Sequence, residues 1–192
     1  MKIFTTLNPK NISNIYLITD DDQKYGVIID PGSLSMNVYK LIRFTGAEIR
    51  KIIITHNGIN QTAGIPLLNK IYKPEIFAYN ETILDLPATK VKNGFVIKEG
   101  DMEFKIMETP VHTYDSISVF IENSLFVGDV LQAGALSSLD KKNVPTNFEL
   151  NVIKKYFLSL PENTIIYPGK GPATTLEIEK KFNPYFQRIV NG

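Results

Sequence analysis

The 192-residue sequence contains no cysteine and no tryptophan, and it has only two histidines. Without cysteine the chain cannot form disulfides, cysteine-ligated zinc sites or a thiol nucleophile. Its formal net charge is +1, whereas binding to nucleic acid usually requires clustered positive charge. We therefore expect neither a disulfide-stapled scaffold nor a nucleic-acid-binding protein.

Long apolar runs are also missing from the sequence. No segment approaches the roughly 20 apolar residues that cross a bilayer, and the first ten residues lack the apolar core of a secretory signal. We therefore expect no membrane association and a cytoplasmic location. No internal repeat or low-complexity linker interrupts the chain, which predicts a single domain over residues 1–192.

Strand and helix patterns alternate along the chain. Apolar or β-branched segments predict strands at 2–6, 14–19, 25–30, 51–55, 75–79, 95–98, 102–107, 116–122, 124–127 and 164–167. The apolar spacing predicts a helix that contains Val38 and Ile42 and ends at Gly46, and a second helix over 61–72. This mixed order indicates a layered α/β fold rather than an all-β or all-α fold.

Two further helices are predicted from their N-terminal signals. Thr146 with Glu149, and Thr174 with Glu177, have the spacing of a capping box. Pro184 then bends or ends the last helix. The segment 129–146, rich in Gly, Ser, Asp, Lys and Pro, is predicted to be a loop.

Polar residues follow several of the predicted strands, at the points where the strands end. They lie in the segments 55–64, 109–116, 125–129 and 167–175, and the two histidines, His56 and His112, are among them. In order and spacing, these segments resemble the signatures of the metallo-β-lactamase superfamily. The family pattern has Thr-His-x-His-x-Asp-His-x-x-Gly, Thr-Pro-Gly-His-Thr, a Gly-Asp after a strand, and Pro-Gly-His-Gly-Pro.

The last segment, with Ala-Thr-Thr after it, is typical of the short glyoxalase II-like branch, the hydroxyacylglutathione hydrolase-like proteins. The resemblance covers about residues 3–180. It implies an αββα four-layer sandwich, in which two face-to-face sheets have helices outside. It also implies a site at one edge, where the loops at the strand ends converge.

The metal site of the family is degenerate in this sequence. Family members hold two zinc ions with five histidines and two aspartates, and a metal-bound water supplies hydroxide. By the resemblance, the retained ligand positions are His56, His112 and Asp129. The changed positions are Gly58, Asn60, Gln61 and Lys170. The first ion would keep three of its four protein ligands, whereas the second would keep only the shared aspartate.

Three hypotheses follow from this ligand set. In the first, the protein is a catalytically impaired or inactive pseudoenzyme without a cofactor. The Lys170 ammonium then replaces the second ion, pairs with Asp129, and hydrogen-bonds Asn60 and Gln61. In the second, His56, His112 and Asp129 hold one zinc, iron or manganese ion for hydrolysis of a thioester, ester or lactone.

In the third hypothesis the former cleft binds a small anion or a partner, through Lys170 and the backbone N–H groups of residues 169–171. Other chemistry has little support in the sequence. Ser116 lies near His112, but no Gly-x-Ser-x-Gly nucleophile elbow is present. Asp115 and Ser116 are interpreted as a turn.

Overall fold

Two six-stranded β-sheets form the centre of the structure, a computed structural model that describes residues 1–137 and 145–191. The first sheet contains, in spatial order, β1 (Lys2–Leu7), β2 (Asn14–Thr19), β3 (Tyr25–Ile29), β4 (Glu48–Ile53), β5 (Glu75–Ala78) and β8 (Thr89–Lys90). The second contains β16 (Thr174–Thr175), β15 (Ile165–Pro168), β12 (Ser124–Gly128), β11 (Ile117–Ile121), β10 (Met102–Glu108) and β9 (Val96–Glu99). Two small hairpins complete the strands, namely β6 (Thr82–Ile83) with β7 (Leu86–Pro87), and β13 (Leu131–Gln132) with β14 (Ala135–Leu136).

The described residues form six helices, five of which pack on the outer faces of the two sheets. They are α1 (Met36–Thr45), α2 (Ile59–Thr62), α3 (Ile65–Tyr72), α4 (Asn147–Tyr156), α5 (Leu176–Phe182) and α6 (Pro184–Asn191). Helices α1 and α3 pack on the first sheet, and the last three helices pack on the second sheet. The αββα four-layer sandwich expected from the sequence is therefore confirmed.

Three apolar cores hold these layers together. The central core lies between the sheets and includes Ile53, Phe104 and Phe126. The outer cores lie between each sheet and its helices. Strand β4 contributes to two cores, because Ile53 faces the opposite sheet while Ile52 faces α1 and α3. This explains why its C-terminal end and the next residue form an unbroken apolar run, 52–54, rather than alternating with polar residues.

The helix predicted over 61–72 is two helices, with a break at Ala63 and Gly64. A Cβ atom on Gly64 would lie 2.6 Å from the backbone nitrogen of Leu34 and 2.7 Å from the carbonyl oxygen of Gly32. The Gly64 N–H group donates to that same carbonyl. Only glycine permits so close an approach of two backbones, and it fixes the loop after β4 against the turn after β3.

The ends of other helices and strands can be compared with the capping and strand patterns in the sequence. The capping box of Thr146 and Glu149 is confirmed, but the one assigned to Thr174 and Glu177 is wrong. Thr174 pairs with β15, so the cap moves one residue on to Thr175, whose Oγ1 accepts a hydrogen bond from Ile178 N at 3.3 Å. The strand predicted at 51–55 begins and ends earlier, at Glu48–Ile53.

The predicted loop 129–146 contains the small β13–β14 hairpin, and its residues 138–144 lie outside the described part of the chain. A helix break at Asn183, before Pro184, agrees with the sequence prediction. Within the described residues, no helix has the length and apolar character needed to span a membrane.

Candidate functional site

Four strand-end loops meet at one edge of the sandwich and bring four predicted site residues together. His56 follows β4, His112 follows β10, Asp129 follows β12 and Lys170 follows β15. The potential ligand atoms of His56, His112 and Asp129 all lie within 4.8 Å of one another. The Nζ atom of Lys170 lies 2.8 Å from Oδ2 of Asp129. The sequence therefore brings two imidazoles, one carboxylate and one ammonium into a single cleft.

Each imidazole is held through its Nδ1 atom. His56 Nδ1 lies 3.3 Å from Thr55 Oγ1, and His112 Nδ1 lies 3.1 Å from Ser137 Oγ. The two rings meet edge to face, with their centroids 4.9 Å apart. His112 Nε2 lies 3.9 Å from Asp129 Oδ2. Hydroxyl contacts at Nδ1 are the kind of support that orients histidine ligands and turns Nε2 inward.

Behind His56 lies the fully buried pair of Asp30 and Thr55. Asp30 Oδ1 accepts from the Thr55 N–H group at 2.8 Å, and Oδ2 accepts from Thr55 Oγ1 at 2.6 Å. Burial raises the pKa of Asp30 to about 7, although the hydrogen bonds from Thr55 oppose the shift. When Asp30 is ionised, the Thr55 hydroxyl hydrogen is engaged, so its oxygen accepts from His56 Nδ1–H.

The protonation of His56 follows from its surroundings. Burial lowers the pKa of His56, and the positive charge of Lys170 acts in the same direction, whereas the carboxylates of Asp129 and Asp115 oppose the shift. At neutral pH His56 is therefore a neutral imidazole. A neutral imidazole is the form that binds a metal ion.

The two oxygens of Asp129 have different surroundings. Oδ2 accepts the hydrogen bond from Lys170, whose side chain is 35% exposed, while that of Asp129 is 5% exposed. Oδ1 is buried and has no hydrogen-bond partner among the described residues. A Cβ atom on Gly169 would lie 2.5 Å from this oxygen, so glycine at 169 keeps the space beside it open. Asp129 is thus satisfied on its lysine side and unsatisfied on the other.

Strand β2 of the first sheet holds the loop that carries Lys170. The side-chain amide of Asn14 donates to the carbonyl oxygens of Pro168 at 2.9 Å and Gly171 at 2.8 Å. The hydroxyl of Tyr16 donates to Pro168 O at 2.6 Å, and burial raises the pKa of this phenol. Three hydrogen bonds from buried side chains therefore fix the backbone on both sides of Lys170.

Comparison with known proteins places this geometry in a family. The family model of the metallo-beta-lactamase superfamily matches residues 8–173. The chain belongs to the metallo-beta-lactamase superfamily. It is 27% identical to a probable metallo-hydrolase of Streptococcus pyogenes serotype M6, over 97% of this chain and 90% of the relative. It is 29% identical to the hydroxyacylglutathione hydrolase of Dictyostelium discoideum, over 100% of this chain and 79% of the relative.

Solved structures agree on the metallo-beta-lactamase fold. The BLEG-1 B3 metallo-beta-lactamase superposes with a TM-score of 0.86 at 22% identity, covering 96% of this chain and 99% of that chain. The protein TTHA1623, solved in a di-iron-bound form, superposes with a TM-score of 0.80 at 22% identity, covering 95% and 99%. The family and fold expected from the sequence are confirmed, and the hydroxyacylglutathione hydrolase among the relatives supports the glyoxalase II-like branch.

Two residues at former superfamily ligand positions do not behave as the sequence suggested. The expected hydrogen bonds from Lys170 to Asn60 and Gln61 are wrong, since its ammonium group bonds only Asp129 within the described residues. Gln61 is buried on α2 and lies beside His56, whereas Asn60 is partly exposed. Because the Lys170 ammonium is already paired with Asp129, it does not require hydrogen bonds to the amides of Asn60 and Gln61.

The superfamily pattern did not reveal two supporting residues, Asp115 and Ser137. Asp115, interpreted as part of a turn, accepts from Asn57 N at 2.8 Å and Asn80 Nδ2 at 3.3 Å, and so ties together the loops that carry the two histidines. Ser137 and Thr55 hold the imidazoles. Thr55 belongs to the superfamily pattern, whereas Asp115 and Ser137 contact partners distant in sequence, so only the fold reveals their roles.

The ligand atoms that are present determine how many metal ions this site can hold. Two ions do not fit, because the shared carboxylate is already paired with an ammonium and the second ion keeps no histidine. One ion fits, because ligand atoms of two imidazoles and one carboxylate lie within 4.8 Å of one another. Two histidines with one carboxylate are an established ligand set for zinc and iron.

Proposed function

We propose that this chain is a glyoxalase II-like homologue that has lost the two-metal hydrolase reaction and is catalytically impaired or inactive. The ion pair between Lys170 Nζ and Asp129 Oδ2, at 2.8 Å, carries the proposal. In a two-metal site the carboxylate bridges both ions, and the ions stabilise the attacking and leaving oxygens. An ammonium at this position repels a second divalent cation and cannot activate water as a Lewis acid.

The lysine also has a structural reason to be there. The side chain of Asp129 is 5% exposed, and a buried carboxylate without a compensating partner is strongly destabilising. Lys170 supplies one positive charge in a fixed position, held by the hydrogen bonds from Asn14 and Tyr16 to its loop. The replacement therefore preserves the fold at the cleft while removing the chemistry of the second ion.

A second candidate function is supported by the unpartnered Oδ1 atom of Asp129. In this form His56, His112 and Asp129 hold one zinc, iron or manganese ion. When bound, the ion would supply hydroxide at neutral pH for hydrolysis of a thioester, ester or lactone. Thr55 and Ser137 would orient the two imidazoles, as their contacts with the Nδ1 atoms indicate.

Binding of a small anion has less support from the charges around the cleft. Asp129 and Asp115 both act on His56 as negative charges, against one positive charge on Lys170. The N–H group of Gly169, which an anion would need, donates to Gly128 O at 2.6 Å. The cleft therefore favours a cation over an anion.

Elemental analysis of untagged protein, grown with added zinc, iron and manganese, tests the proposal. We expect fewer than two ions per chain, and equal hydrolysis of a hydroxyacylglutathione thioester by wild type and His112→Ala. Two ions per chain, with activity that His112→Ala abolishes, would contradict it. One ion per chain together with a loss of activity in His112→Ala would select the single-ion form.

A further inference from the structure

Gly58 stands where the superfamily has a histidine, and the loop has closed around the missing side chain. A Cβ atom on Gly58 would lie 2.5 Å from Gln61 Oε1 and 2.9 Å from His56 Nε2. The first atom of any side chain at 58 would therefore overlap the amide oxygen of Gln61. Gln61 has taken the space beside His56 Nε2 that a ligand from position 58 would need.

The side chain of Gln61 is almost completely buried but has no hydrogen-bond partner among the described residues. Only 2% of the residue is exposed, yet its side-chain amide makes no hydrogen bond within the described part of the chain. Its backbone is fixed, since Gln61 N donates to Gly58 O at 2.9 Å and Gln61 O accepts from Gly32 N at 3.0 Å. The small exposed part of Gln61 includes its amide atoms, which are not among the fully enclosed atoms without a partner, so Oε1 remains open to a ligand.

We propose that Gln61 Oε1 is the fourth protein ligand of a single divalent cation held with His56, His112 and Asp129. The proposal rests on the single-ion form of the proposed function. By the superfamily pattern, position 61 belongs to the second ion, whereas this structure directs Gln61 to the first. The glutamine thus replaces the histidine lost at position 58 from a different point on the loop.

The proposed donor set joins two imidazoles to two side-chain oxygens. Gln61 Oε1 and a carboxylate oxygen of Asp129 are the oxygen ligands, and His56 and His112 are the nitrogen ligands. Asp129 Oδ1 has no hydrogen-bond partner among the described residues, while Oδ2 lies 2.8 Å from Lys170 Nζ and 3.9 Å from His112 Nε2. Carboxylate and amide oxygens suit manganese, and imidazole suits iron and zinc. We therefore expect Mn²⁺, Fe²⁺ and Zn²⁺ all to bind.

Calorimetric titration of metal-stripped, untagged protein with Mn²⁺ and with Zn²⁺ tests this assignment. The variants are Gln61→Leu, which removes the oxygen, and Gln61→Glu, which adds a negative charge. Asn57→Leu is the matched control, because Asn57 is exposed on the same loop. We expect one ion per chain, an affinity at least about tenfold lower in Gln61→Leu, tighter binding in Gln61→Glu, and an unchanged affinity in Asn57→Leu.

Thermal unfolding of the metal-free proteins separates ligand loss from misfolding. Gln61→Leu removes a buried amide that has no partner, so its metal-free form should unfold no lower than wild type. Wild-type affinity in Gln61→Leu, or no binding by wild type, would overturn the ligand assignment and leave the loss of two-metal chemistry standing. Two ions per chain would overturn the proposed function itself.

Discussion

The histidine side of the cleft and its lysine side have been preserved to different degrees. The histidine side, formed by His56 and His112 with Thr55 and Ser137, keeps both imidazoles and the hydroxyls at their Nδ1 atoms. The lysine side, formed by Lys170 with Asn14 and Tyr16, holds an ammonium against Asp129 on a loop fixed by hydrogen bonds. In the proposed function, this ammonium replaces the second ion, while the histidine side keeps the ligands for one ion.

Asp129 joins the two sides through its carboxylate. Oδ2 lies 2.8 Å from Lys170 Nζ and 3.9 Å from His112 Nε2, while Oδ1 is buried and has no hydrogen-bond partner in the described residues. One carboxylate can therefore be paired with an ammonium inside the protein and still have an oxygen without a partner. The following experiments test whether the two sides of the cleft differ in this way.

Restoring the whole ligand set should have the largest effect. We expect the combination Gly58→His, Asn60→Asp, Gln61→His and Lys170→His to bind two ions per chain. Since a catalytic metal supplies several kcal/mol, thioester hydrolysis should rise by about 10³-fold. Elemental analysis and steady-state kinetics measure both results.

The control for this restoration is Gly58→His alone, in which the new Cβ atom meets Gln61 Oε1. We expect no second ion and no gain in rate from this single change. A gain from Gly58→His as large as that of the fourfold variant would contradict the division between the two sides.

The pH dependence of stability should change next most strongly, in Asp30→Asn. The pKa of Asp30 in the folded state is about 7, above the usual 3.8. The stabilisation from its retained proton is therefore complete below pH 3.8 and is lost as pH rises through about 7. Asparagine removes this loss, so its unfolding free energy should gain on wild type by roughly 1 kcal/mol per pH unit over this range.

Urea unfolding at several pH values between 4 and 8 measures the difference for Asp30→Asn. Asparagine tolerates the positive φ of 51° at this position, so the backbone is unaffected. Asp101→Asn, on an exposed turn, serves as the control and should run parallel to wild type. Parallel curves for Asp30→Asn as well would show that Asp30 does not hold its proton.

Removing the lysine charge should have a smaller effect on stability. In Lys170→Met the buried carboxylate of Asp129 loses its only hydrogen bond among the described residues. We expect the unfolding free energy of the metal-free protein to fall by about 2 kcal/mol, since a buried charged group is left unpaired. Lys92→Met, an exposed lysine without an ion pair in the described structure, should change it by less than about 0.5 kcal/mol. Equal values for the two variants would show that Lys170 does not compensate Asp129.

The smallest effect is expected on the histidine side, in Ser137→Ala. This change removes the hydroxyl 3.1 Å from His112 Nδ1 without touching a proposed ligand atom. Loss of such a supporting contact lowers metal affinity by about tenfold. Titration with Zn²⁺ measures it, and Ser159→Ala, on an exposed residue remote in sequence from the cleft, is the control. An unchanged affinity would show that this hydroxyl does not orient the imidazole.

Much of the fold could be predicted because it depends on local patterns. The apolar run 52–54 identified the C-terminal end of β4, and the spacing of Thr146 and Glu149 identified the start of α4. The capping prediction at Thr174 failed because pairing with β15 outweighed the local signal. The break at Gly64 was missed because its cause is a contact with Gly32, in a distant turn.

The candidate site was predictable only where residue types follow the family pattern. The pairing of Lys170 with Asp129 followed from charge, since a buried carboxylate requires a cation. The position of Gln61 did not follow, because it depends on the space left by Gly58. Ser137 and Asp115 act across 25 and 58 residues of sequence, and nothing in their own neighbourhood marks them.

The hydrogen bonds from Asn14 and Tyr16 to the carbonyl of Pro168 cross from one sheet to the other. They make the two halves of the sandwich mechanically dependent on each other at the cleft. Asp129 and Lys170 both follow strands of the second sheet, so the first sheet acts on their ion pair only through the backbone next to the lysine. A side chain of the first sheet that carries no charge thus helps to determine where a charge of the second sheet lies.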